Sequence, residues 1–241
     1  MRRIGWLLIG LAFLLGLGGC GGNGEAGPSV YAAASLTEVF PAIDASARYS
    51  FGGSDALATQ IREGAPADVY AAASARYAEE LYREGLVAKP VVFASNRLVA
   101  IVPKDNPARI VRVDDVTRPG TKLVVAAAGV PAGAYTRTVL RDLGFERALA
   151  NVVSTEDDVK GVVAKVATGE ADAGFAYATD AAAADDRVRA VELPERSQPT
   201  IEYEIAVVRR TKNRRAAEAF VRKVLGPRGR KALAAAGFVV R

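Results

Sequence analysis

Apolar runs of strand length and apolar positions at helical spacing take turns along this chain. Runs of strand character fall at residues 29–33, 48–51, 68–71, 97–102, 122–126, 152–154, 173–177, 188–193 and 201–209. Between them, apolar positions recur every three or four residues, as on one face of a helix, at 35–47, 54–63, 74–84, 132–143, 157–168, 179–184, 213–225 and 227–236. Gly85 and Gly144 stand just past two of these helices, where a left-handed residue ends a helix, and Pro103 ends the strand at 97–102. Such alternation predicts α/β architecture, with mostly parallel sheets flanked by helices. Two stretches read as crossings between lobes: residues 91–96, where a helical region gives way to a long strand, and the polar residues 195–200. A chain that leaves one lobe and later returns makes a first lobe of residues 29–93 plus 200–241 and a second of 94–199. Ligands of open α/β sheets lie beyond the carboxyl ends of the strands.

The N-terminus has a different pattern. Arg2 and Arg3 precede an uncharged apolar stretch from Ile4 to Leu17. That stretch is shorter than the ~20 residues of a spanning helix, and with its charged start it reads as a secretory signal. It ends in Leu17-Gly18-Gly19-Cys20, which resembles the bacterial lipobox. The resemblance implies a signal peptide over 1–19 and a lipid on Cys20 that anchors the protein at the outer face of a cell membrane. Residues 20–28, rich in glycine, then form a flexible tether. Cys20 is the only cysteine, so an internal disulfide is excluded.

Composition narrows the chemistry. There is no histidine, which removes Ser-His-Asp and Cys-His arrangements and nearly all zinc sites. No Gly-x-Ser-x-Gly run exists to present a nucleophile. We therefore expect a binding protein rather than an enzyme, with no cofactor. After loss of Arg2 and Arg3 the charge balance is mild, 30 basic against 27 acidic residues. The densest basic run, residues 209–215, could touch acidic lipid or nucleic acid, but it lacks the aromatic interleaving of a nucleic-acid surface and reads as the solvated turn and first face of a surface helix.

Four helix starts share a feature. Ser35 with Glu38 forms a capping-box pattern that predicts Ser35 at an N-cap. Gly52-Gly53-Ser54 allows close backbone approach and a cap at Ser54. Gly129-Val130-Pro131-Ala132-Gly133 places a proline in a first turn. Thr155-Glu156-Asp157-Asp158-Val159 opens another helix. Each start offers unpaired amides and a partial positive charge. Alone, each is merely a cap; converging on one cleft, they would make a neutral cage for a compact anion.

The runs VYAAASLTEVF, FGGSDALATQIREGAPADVYAAAS, NRLVAIVPKDNP, VPAGAYTRTVL, EDDVKGVVAKVATGEADAGFAYATDA and the final AAAGF, in order from Val30 to Phe238, resemble the molybdate-binding proteins of ABC transporters. The resemblance implies a two-lobed periplasmic-binding-protein fold of type II, acting as a monomer. It also implies high-affinity binding of molybdate or tungstate and delivery to a membrane permease. The oxyanion would be held by Ser35, Ser54, the amides of Ala132 and Val159, and the hydroxyl of Tyr177, with molybdenum present only inside the oxyanion. Three places depart from the family pattern: Asp55 stands where a second serine is frequent, the loop before Val130 is short, and so is the link between Ala47 and Phe51. Another tetrahedral oxyanion such as sulfate or thiosulfate, or an organic solute, therefore stands as an alternative. Donors from both lobes imply that binding closes the hinge.

Overall fold

The computed structural model describes residues 27–240. The signal peptide, Cys20 and nearly all of the tether lie outside the described residues.

Two five-stranded sheets form the frame. The first has the order β2 (Arg48–Gly52), β1 (Ser29–Ala33), β3 (Val69–Ala72), β10 (Ile201–Val207), β4 (Val91–Asn96). The second has the order β7 (Val152–Glu156), β6 (Leu123–Ala126), β8 (Ala173–Tyr177), β5 (Leu98–Pro103), β9 (Val188–Glu192). In each, one strand runs against the other four: β10 is antiparallel to both its neighbours, and so is β5. Those two are the first strands laid down after the chain crosses between sheets. β3, β6 and β8 are buried along their whole length and β1 along most of it, as expected of strands covered on both faces.

The helices follow the apolar spacing. In α2 (Ser54–Arg62) the buried face is Leu57, Ala58 and Ile61; in α3 (Ala75–Arg83) it is Tyr77, Ala78 and Leu81. Helix α4 (Pro131–Asp142) has its proline at the first position, and α5 (Val159–Ala167) buries Val162, Val163 and Val166. Gly85 and Gly144 end α3 and α4 with φ of +75° and +72°.

Two expectations fail. Residues 91–96 are not a link but β4, paired antiparallel with β10 across a bulge at Tyr203/Glu204. As a half-exposed edge strand, it lacks the continuous apolar signature of the inner strands. The helix over 35–47 shrinks to a 3-10 turn, Ala34–Leu36, followed by α1 (Val39–Ile43). Pro41 explains this: in a helix begun at Ser35 its ring would meet the carbonyl four residues back, whereas in the first turn of α1 it has no such partner. Asp44 then ends α1, its carboxylate accepting bonds from the amide and hydroxyl of Ser46.

The crossings are short and clipped together. Gln198 accepts from the Leu98 amide at 3.0 Å and donates to the Leu98 carbonyl at 2.9 Å, and Arg97 pairs with Glu195 at 2.6 Å.

One buried charge sits outside this economy. Glu204 in β10 is 6% exposed, and its Oε2 finds no hydrogen-bond partner among the described residues. Burial, with Glu79 and Glu202 nearby, pushes its pKa up to about 7. The folded state therefore binds a proton that the unfolded state has already released between about pH 4.5 and 7, so this group's contribution falls as pH rises through about 7. Glu204→Gln is expected to raise stability by about 2 kcal/mol at pH 8 and little at pH 4. Urea melts at the two pH values check it; equal gains at both would show that the carboxyl is not protonated in the fold.

Candidate ligand-binding site

The carboxyl end of β1 runs into the Ala34–Leu36 turn, and that of β2 into Gly53 and α2. From the other lobe come the starts of α4 and α5 and the end of β8. These five meet around one small cavity of about 10 Å³, bordered by Ser35, Ser54, Ala132, Val159 and Tyr177. It lies below the 300–1,000 Å³ of sites for drug-sized ligands, which favours a compact ion over an organic solute. No lysine or arginine borders it. The one acid that does, Asp158, is the N-cap of α5, and its carboxylate accepts from the Gly161 amide at 3.0 Å.

All five residues singled out in the sequence come together here, but the two serines are not caps. Ala33 and Gly53 hold the N-cap positions, and neither start has a side-chain cap bond. What the hydroxyls do instead bears on the site. Ser54 is the first residue of α2, and its Oγ accepts the Ala73 amide at 3.1 Å. Its own proton remains free to donate. Ser35 Oγ lies 2.8 Å from the hydroxyl of Tyr203, which also receives Asn96 Nδ2 at 3.5 Å. Either hydroxyl of that pair can donate; when Tyr203 is the donor, the Ser35 proton is left to donate onward. Tyr203 and Asn96, which do not border the cavity but connect to it through Ser35, were not revealed by the sequence.

Tyr177 supplies the third hydroxyl. It is 1% exposed, stacks edge-on against Tyr203 with ring centroids 5.8 Å apart, and has no hydrogen-bond partner among the described residues. Burial pushes its pKa far above the usual phenol range, so it stays a proton donor at any working pH. The amides of Ala132 and Val159 fall in first helical turns, where no intrahelical carbonyl is available. Residues carrying three hydroxyls and two first-turn amides thus border a space that no lysine or arginine lines among the described residues.

The lobes meet around the cavity. Tyr77 on α3 donates to the carbonyl of Gly129 in the loop before α4, and Lys160 of α5 lies 3.7 Å from Glu38 and 3.3 Å from the buried Asp180. Asp180 is pushed up to about 6 by burial, against the pull of Lys160. Gly53 is packed so closely that a Cβ there would lie 2.7 Å from the Asp157 carbonyl of the opposite lobe. Asp55, the departure beside Ser54, does not border the cavity; its carboxylate turns toward Gly129, where a Cβ would come within 2.9 Å of Oδ2.

Residues 29–239 match the model of a family described as bacterial extracellular solute-binding protein. The chain belongs to that family. Its members are solute binders rather than enzymes, and they work outside the cytoplasm. Over 99% of both chains this solute-binding protein is 36% identical to the molybdate-binding protein ModA of Mycobacterium tuberculosis. Among solved structures it is similar to the periplasmic molybdate-binding protein of Azotobacter vinelandii, with a TM-score of 0.78, 21% identity and coverage of 89% of this chain and 99% of that one. It is also similar to the sulfate-binding protein SubI of Mycobacterium tuberculosis, with a TM-score of 0.75, 22% identity and coverage of 88% and 85%. The two structural likenesses bear on the fold, which is the two-lobed binding-protein architecture that the family resemblance implied.

Proposed function

We propose that this protein binds molybdate, and tungstate with it, in the cavity between the lobes and delivers it to the permease of an ABC transporter while tethered to the membrane through Cys20. The observation that carries the reading is the buried, unpaired hydroxyl of Tyr177, a residue that borders the same cavity as the starts of α2, α4 and α5. Molybdate is a tetrahedral dianion, and burying it is costly unless its oxygens find donors. Each charge-assisted bond contributes about 1.5–3 kcal/mol, and nanomolar binding needs about 12 kcal/mol. Ser35, Ser54, Tyr177 and the amides of Ala132 and Val159 come to roughly that total before ordering costs. A cage of donors also disfavours hydrogenphosphate, whose proton needs an acceptor. The 36% identity to a molybdate-binding protein supports molybdate over other anions.

Sulfate is the second reading, since it has the same charge and shape in a smaller size, and the fold is shared with a sulfate-binding protein. Calorimetric titration with molybdate, tungstate, sulfate and phosphate separates the two: we expect the first two to bind at least about a hundredfold more tightly than sulfate. Tight sulfate binding with weak molybdate binding would transfer the assignment. Ser54→Ala is expected to weaken molybdate binding roughly tenfold, the loss of one hydrogen bond to a charged ligand. Unchanged affinity would remove Ser54 from the site.

A further inference from the structure

The basic run has a place in the fold that the ligand site does not explain. Of the 23 residues from 209 to 231, ten are lysine or arginine and one is acidic, while the rest of the chain after residue 19 carries 20 basic against 26 acidic residues. All ten cations are exposed. They occupy the turn after β10 and the helices α7 (Arg214–Leu225) and α8 (Pro227–Ala235). Glu218 reaches Arg214 at 3.7 Å and Arg222 at 4.0 Å, and Asp44 takes Lys223 at 2.6 Å.

Sheet register says where this surface begins. Val207 at the end of β10 lies level with Val69, and Val69 lies level with Val30 at the start of β1. Asp68 joins the two ends directly, accepting the Ser29 amide at 2.8 Å and the Thr211 hydroxyl. The basic segment therefore leaves the first sheet beside the point where the chain enters from Cys20, at the opposite end of β1 from the cavity; Arg222, Lys223 and Arg228 lie beside Ile43 and Asp44, just ahead of β2, whereas α8 then runs back toward Ser35 and places Arg230 beside Ser95. Eight residues separate Cys20 from Ser29, a reach of about 28 Å when fully extended.

We propose that the cations from Arg209 to Arg228 on this end, and not those farther along α8, form a docking surface for anionic phospholipid headgroups. It would hold the tethered protein on the bilayer with its cavity turned away from the membrane until it engages the permease. The inference rests on the lipid-anchor reading for the surface it meets, and on charge complementarity for the contact itself. Clustered cations held near an anionic leaflet are drawn to it, and the attraction fades within a Debye length and with salt.

The test uses the mature chain with Cys20→Ser, so that no lipid assists, sedimented with vesicles of phosphatidylcholine alone or mixed with phosphatidylglycerol. Binding is expected only to the mixed vesicles, with release at high salt. Combined Lys212→Gln, Arg222→Gln and Arg228→Gln, all on exposed side chains, should lower the partition coefficient roughly a hundredfold and leave molybdate affinity unchanged. Equal partition onto both vesicle types, or a triple variant that binds like its parent, would overturn the proposal. So would a triple variant that impairs uptake in cells when the parent shows no vesicle binding, because the cations would then serve a protein partner. A protein that binds mixed vesicles but no oxyanion would uphold this surface while removing the ligand assignment.

Discussion

Gly53→Ala is expected to lower oxyanion affinity about a hundredfold while leaving the unliganded protein nearly as stable as before. The backbone at Gly53 has φ −60° and ψ 134°, a conformation open to any residue, so the substitution brings no backbone strain. The added methyl would sit 2.7 Å from the Asp157 carbonyl of the other lobe and 2.7 Å from Asp55 Oδ1. A side-chain oxygen can move aside; a backbone carbonyl at the start of α5 can move only with its lobe. The lobes must then stay apart by several tenths of an ångström, and donors on opposite walls can no longer reach the same ion at full strength. Losing the better part of two charge-assisted bonds corresponds to about a hundredfold. Titration calorimetry reads the affinity, and thermal melts with and without molybdate should show the ligand-induced stabilisation largely gone. Unchanged affinity would mean that the ligand is held without this closeness of the lobes.

The legible parts of this molecule were those whose signal is local. Ser54, Ala132 and Val159 stand next to glycine, proline and acidic residues that mark helix starts by their own chemistry, and the strands that precede them are short and apolar. The illegible parts depend on distant partners. Tyr203 meets Ser35 across 168 residues and Asn96 across 107, and nothing beside Tyr203 in the sequence marks it as more than a core aromatic. The capping-box pattern at Ser35 and Glu38 misleads because Pro41 delays the helix, and the freed hydroxyl then turns to Tyr203. β4 escapes because an edge strand needs only one good face. Asp55 is the reverse case: its identity raises doubt about an anion site, and only the fold shows its carboxylate turned toward Gly129.

Val159→Pro separates backbone from side chain in the proposed cage. Val159 is the first residue of α5, the one helical position at which proline is readily accepted, because its amide has no carbonyl to meet. The preceding residue must be extended when proline follows, and Asp158 already is, with φ −156° and ψ 176°. Asp158 keeps its bond to the Gly161 amide, so the cap survives. What disappears is one N–H at the wall of the cavity, together with part of the packing of a side chain that is 3% exposed. We expect molybdate affinity to fall by about ten- to a hundredfold, the worth of one donor to a buried dianion, and stability to fall by about 1 kcal/mol from the smaller side chain. Val159→Ala is the control: it removes more of the side chain but keeps the amide, so it should cost stability without costing affinity. If the alanine and proline variants lose affinity equally, the amide is not a ligand, and the start of α5 contributes to binding only through its packing.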